Sequence, residues 1–188
     1  LTLQSINKVF TEIYDAWNSD TFFSLIKAFE LPTNNQIKTF SRGMRMKAAL
    51  TIALSHDAKL LILDEATAGM DVSGREHVLE ILEDYLGDDR AILISSHISE
   101  DIEQLATQLV FMRDGRIILK ESKEVLLSQY GIIDQPVEHF NISNEYLIAT
   151  RRRNDRQISL VNNYQKVPDA QPLKTIDDAT KIIMRGEV

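Results

Sequence analysis

Two adjacent carboxylates, Asp64 and Glu65, follow the apolar run Leu60, Leu61, Ile62, Leu63. A short continuous apolar run between polar flanks predicts a strand buried on both faces, and α/β sheets place their ligands at the C-terminal ends of such strands. An aspartate there can hold a magnesium ion beside the β and γ phosphates of a nucleotide, and the next carboxylate can orient and deprotonate an attacking water. Alone, the run fits a solvated strand end entering a turn better than it fits a site. His97 closes a second apolar run through Ile94, Ser95 and Ser96. A histidine at the end of a neighbouring strand can approach the same carboxylate and a γ phosphate, although a locally satisfied histidine has the same sequence. Upstream, Phe40, Ser41, Arg42, Gly43 and Met44 put a serine and a glycine at a helix start. Free N–H groups and a partial positive charge make a helix N-terminus a natural phosphate site, and glycine permits close backbone approach. Ser41 as an ordinary N-cap explains the same residues without a ligand.

The elements that must position these groups follow from periodicity. Ile6, Val9, Phe10, Ile13 and Trp17 recur at helical spacing, as do Phe22, Phe23, Ile26 and Phe29 after a polar break. Ser41 is placed to cap a third helix through Ala48, Leu50, Ile52 and Leu54. Ser73 with Glu76 predicts a capping box opening a helix through Val78, Leu79, Leu82 and Leu86, which Gly87 can close. Residues 91–94 predict a second buried strand, Ser99 a short helix, and residues 109–119 a hairpin turned at Asp114 and Gly115. Buried strands alternating with helices imply parallel strands and an α/β fold, with the helix-rich start as a separate lobe. Beyond residue 120 the pattern predicts a helix over 124–129, a turn over 131–135, two polar strands over 146–152 and 157–161, and a helix over 175–185 closed by Gly186.

Composition narrows the function classes. Hydrophobic residues at 44% and charged residues at 26% are ordinary for a folded globular chain of 188 residues. No apolar run approaches the roughly 18 residues of a membrane span, so direct membrane insertion is not expected and any membrane link goes through a partner. The absence of cysteine excludes disulfides and thiolate metal sites and fits a cytoplasmic setting. A net charge of −7 argues against a nucleic-acid partner, and the short basic run Arg151, Arg152, Arg153 reads as a solvated strand end.

Taken together, the motifs resemble the ABC transporter ATPase family over roughly residues 1–120. Phe40 to Met44 is similar to its signature motif, residues 60–64 to the Walker B strand with Glu65 as catalytic glutamate, residues 69–71 to the D-loop, and His97 to the switch histidine. The tone of Ser-Arg-Gly-Met with an extended tail resembles bacterial bacitracin-type exporters. The resemblance implies the C-terminal part of a P-loop NTPase domain: a helical and signature lobe over 1–56, a Walker B to hairpin core over 57–120, and a small appended α/β subdomain over 121–188. It implies ATP and Mg²⁺ as cofactors, with Glu65 and His97 catalytic, Asp64 serving the metal, and Ser41, Arg42, Gly43, Met44 and Asp71 facing nucleotide. It further implies a second ATP-binding subunit in a head-to-tail dimer and a transmembrane permease that holds the protein at the inner face of the cell membrane.

Departures accompany the resemblance. Arg42 and Met44 replace the usual glycine and glutamine of the signature, and Ala66 stands where proline is usual. No Gly-x-x-x-x-Gly-Lys-Ser/Thr loop occurs in the sequence, and the chain opens on Leu1, which together suggest a segment lacking its upstream part and inactive by itself. A P-loop-less adaptor subunit and a non-transport ABC ATPase are the alternatives from other classes.

Overall fold

A computed structural model of the chain describes residues 1–187. It divides into two compact units, Leu1–Asp101 and Ile102–Val188.

In the first unit, α1 (Leu3–Ile13), α2 (Ser19–Ala28) and α3 (Arg42–Leu54) precede β1 (Leu60–Asp64), α4 (Val72–Tyr85) and β2 (Ala91–Ser95). Each of these helices begins on a residue whose side chain accepts an otherwise orphaned N–H: Thr2, Asn18, Ser41 and Asp71. Trp17, expected on the first helix, lies beyond it. The polar stretch releases the chain at Ile13, and Trp17 folds back, donating its indole N–H to Asn7 Oδ1 at 2.9 Å and packing edge-on against Phe10. The cap of α4 also differs from the expected Ser73 box. Asp71 Oδ1 accepts from Gly74 N at 3.1 Å, which starts the helix two residues earlier.

β1 and β2 pair in parallel, Leu60 opposite Ala91 through Asp64 opposite Ser95, as α/β alternation requires. The expectation of burial on both faces is corrected. Leu61 is buried, whereas Leu60, Ile62 and Leu93 are 54%, 71% and 59% exposed. Because side chains alternate along a strand, covering one face of the pair leaves the other open.

The second unit begins within α5 (Ser99–Leu105) and contains the hairpin β3 (Gln108–Arg113) and β4 (Arg116–Ser122), then α6 (Lys123–Gln129), β5 (Gly131–Pro136), β6 (Leu147–Arg153), β7 (Arg156–Val161), the short β8 (Gln171–Pro172) and α7 (Ile176–Arg185). The hairpin turns through Asp114 and Gly115, both at positive φ, as its sequence predicts. Leu109 and Phe111 of the hairpin share a buried cluster with Leu126, Leu160, Ile182 and Ile183. Arg113 Nη1 adds hydrogen bonds to Ile183 O (2.6 Å) and Gly186 O (2.5 Å), satisfying carbonyls at the C-terminus of α7.

β5 replaces the turn expected over 131–135. It is antiparallel to β7, and the four strands run in the order β6-β7-β5-β8. Gly131 misleads as a turn former, because it is needed for close approach: a Cβ there would lie 2.5 Å from both Gln171 O and Tyr164 Cβ. Among the described residues no helix is long and apolar enough to cross a membrane.

Candidate active site

Parallel pairing of β1 and β2 brings their C-terminal ends side by side. Ser95 Oγ donates to Asp64 Oδ1 at 2.5 Å, and Glu65 N donates to both Ser95 O and Ser95 Oγ, at 3.1 and 3.2 Å. These bonds hold Glu65 at φ 52, in the left-handed region. A non-glycine residue there costs about 1–2 kcal/mol and persists only where its surroundings fix it. The conformation ends the strand sharply and turns the Glu65 side chain toward the loop after β2. There His97 Nδ1 lies 2.5 Å from Glu65 Oε2. With the proton on Nδ1 the imidazole donates to the carboxylate. His97 is 72% and Glu65 37% exposed, so the pair is reachable from solvent.

The loop leaving Glu65 is fixed by its own backbone and by a buried acid. Ala68 N donates to Glu65 O and Met70 N to Thr67 O. Thr67 Oγ1 donates to Asp101 Oδ2 at 2.5 Å, and Ser96 Oγ reaches the same oxygen at 3.2 Å. Arg75 Nε faces Asp101 Oδ1 at 3.4 Å without hydrogen-bond alignment. Asp101 and Thr67 are 0% and 2% exposed. A buried carboxylate is tolerated only with such partners, since desolvation costs several kcal/mol per ion.

Ser41 caps α3 by accepting from Met44 N at 3.2 Å, and Arg45 Nη1 donates to Phe40 O at 2.5 Å, fixing the chain as it enters the helix. Gly43 faces Gly69 O and Met70 at 3.6–4.0 Å from where its Cβ would stand. Gly69 is at φ +79 beneath the Arg42 side chain, with Arg42 Cδ 2.9 Å from the position of a Cβ. The start of α3 thus meets residues 69–70, at the far end of the loop from Glu65. The structure joins Asp64, Glu65 and His97 into one group, and Arg42 and Gly43 with Gly69 into another. Asp71 is engaged as the cap of α4.

Asp64 is an exposed oxygen donor at a strand end, which fits Mg²⁺, an ion usually held by one or two carboxylates together with substrate phosphates. Among the described residues no group of three or more His, Cys, Asp or Glu side chains is placed to hold a metal ion by itself. Sequence reasoning missed Ser95, Thr67, Ser96, Arg75 and Asp101 as site residues. Ser95 and Ser96 stand within the His97 motif and carry a local signal. Asp101 does not: in sequence it is one of two ordinary first-turn acids of α5.

Residues 5–68 match the family model described as ABC transporter. The lantibiotic transport ATP-binding protein SrtF of Streptococcus pyogenes is 37% identical over 116 residues, 62% of this chain and 47% of that protein. The linearmycin resistance ATP-binding protein LnrL of Bacillus subtilis is 32% identical over 120 residues, 62% of this chain and 38% of that protein. The chain therefore spans less than half the length of these relatives. A solved ATP-binding subunit of an ABC transporter shares the fold at TM-score 0.60 and 23% identity, covering 67% of this chain and 55% of that one. A structure named for a cobalt transport ATP-binding protein does so at 0.62 and 19%, covering 86% and 59%. With the motifs in family order, the chain is similar to ABC transporter ATP-binding proteins, and its α/β fold is that of part of the solved ATP-binding subunits.

Proposed function

We propose that this chain is part of the ATP-hydrolysing subunit of an ABC exporter, with Glu65 as the general base. The observation that carries the reading is the Glu65–His97 contact at the ends of two paired parallel strands. With Oε2 engaged by His97, Oε1 remains to accept the proton of an attacking water. His97, held by the carboxylate through Nδ1, has Nε2 left to contact a γ phosphate. Asp64 would hold Mg²⁺, whose charge offsets that of the β and γ phosphates. Phosphoryl transfer needs mainly positioning and charge stabilisation, and a rigid strand end supplies positioning.

Ser41, Arg42, Gly43 and Met44 form an exposed or half-exposed helix start with N–H groups suited to phosphate oxygens. In the head-to-tail dimer, this start and Asp71 face the nucleotide held by the opposite subunit, and a permease couples closure to outward movement of a substrate. The protein then sits at the cytoplasmic face of the membrane. The phosphate loop that grips the nucleotide is outside these 188 residues, so the isolated chain is inactive and binds ATP more weakly than micromolar.

The test is steady-state hydrolysis by the ATPase that contains this chain. Glu65→Gln should lower kcat ~10² to 10⁴-fold with ATP binding retained. Near-normal turnover would refute the assignment, and micromolar magnesium-dependent ATP binding by the isolated chain would refute its predicted inactivity.

A further inference from the structure

We infer that Asp101 is a positioning residue that sets the Glu65–His97 pair. A single oxygen, Asp101 Oδ2, receives the hydroxyl of Thr67, two residues after Glu65, and that of Ser96, one residue before His97. The two loops carrying the pair have no covalent link shorter than the intervening α4, and this oxygen joins them directly. Ser96 is itself held in place, because its Oγ accepts from Ile98 N at 3.0 Å. The other carboxylate oxygen faces Arg75 from α4 at 3.4 Å, an ion pair without hydrogen-bond alignment. Asp101 is fully buried while His97 is largely exposed. The exposed contact therefore depends on a buried one for its geometry, as supporting hydrogen bonds generally fix the orientation of site residues.

The inference rests on the reading of Glu65 and His97 as the catalytic pair, but it can be tested without turnover. The readout is the ring ¹³C and ¹⁵N chemical shifts of His97 in the 188-residue chain, with His56, stacked on Tyr14 at 5.5 Å elsewhere in the first unit, as internal control. Glu65→Gln defines the His97 signals when its charged partner is removed. Asp101→Asn should move His97 toward those signals while His56 stays in place, and Asp101→Glu should restore His97 at least in part. Should Asp101→Asn fold poorly, Thr67→Val removes one of the two hydroxyls at nearly constant volume and carries the same expectation. Unmoved His97 signals in the Asp101 or Thr67 variant, or equal movement of His56, would overturn the assignment. If Glu65→Gln itself left His97 unmoved, the pairing beneath both readings would fall, a result distinct from failure of the Asp101 role alone.

Discussion

Glu65 Oε2 and His97 Nδ1 stand 2.5 Å apart although 32 residues separate them. The contact exists because Glu65 adopts φ 52 and Ser95 accepts its N–H. Groups that act as one unit lose function together, so their single losses do not add. In the ATPase proposed to contain this chain, His97→Ala should lower kcat by at least ~10-fold, and Glu65→Gln with His97→Ala should cost little more than the larger single loss. Multiplying losses in the steady-state kcat of the double variant would show that the two side chains act independently.

Gly69 offers a test of the loop between the two groups of site residues. Its φ of +79 disfavours any side chain by about 1–2 kcal/mol. A Cβ would also press on Arg42 Cδ, although a flexible side chain can yield. Gly69→Ala should therefore destabilise the first unit by about 1–2 kcal/mol and shift Arg42, whereas Gly87→Ala, with nothing near its Cβ position, should cost less than about 1 kcal/mol. Urea unfolding followed by fluorescence of Trp17, the only tryptophan, reads the difference.

What was legible in the sequence depended on whether the signal was local. Ser41 capping α3, Asp114 and Gly115 turning a hairpin, and Thr175 opening α7 are each specified within a few residues, and each forms as expected. The proximity of Asp64, Glu65 and His97 was legible because each closes a short apolar run, and parallel pairing of the two strands brings their ends side by side. Asp101 was not, because its partners Thr67 and Arg75 lie 34 and 26 residues away, and no spacing rule links them. Gly131 failed for a related reason. A glycine serving close approach to Tyr164 looks the same in sequence as one serving a turn. The hairpin's allegiance to the second unit rests on Leu109 and Phe111 meeting residues of α7, another long-range fact.

Ser41 combines a structural role with a proposed functional one, and the two separate by substitution. Losing the bond from Met44 N should destabilise the first unit by about 1 kcal/mol in Ser41→Ala. Ser41→Asp keeps a good cap but places a negative charge where phosphate is proposed to sit. Its stability should stay within about 0.5 kcal/mol of the original, while hydrolysis by the proposed ATPase should fall at least ~10-fold. Equal activity of Ser41→Asp and the unmodified protein, measured alongside urea midpoints, would show that no anion approaches this helix start.

Tyr130 links stability of the second unit to alkaline pH. Burial is the main cause that raises its phenol above the ordinary value of 10, and the neighbouring Glu121 charge, to which Tyr130 Oη donates at 3.3 Å, adds to it. Below pH 10 the phenol is neutral in both folded and unfolded chains, so the contribution is fully present. Above pH 10 the unfolded chain ionises first, and the contribution is lost as pH rises through the higher folded value. Tyr130→Phe should cost about 1 kcal/mol at neutral pH through the lost hydrogen bond. The variant should then lose less stability than the unmodified protein between neutral pH and about pH 11. Tyr85, also raised mainly by burial, is present in both proteins and cancels in the comparison. Hydrogen exchange of the β5 and β7 amides across that range measures the second unit specifically. Parallel loss in the two proteins would mean that the Tyr130 phenol ionises as easily folded as unfolded.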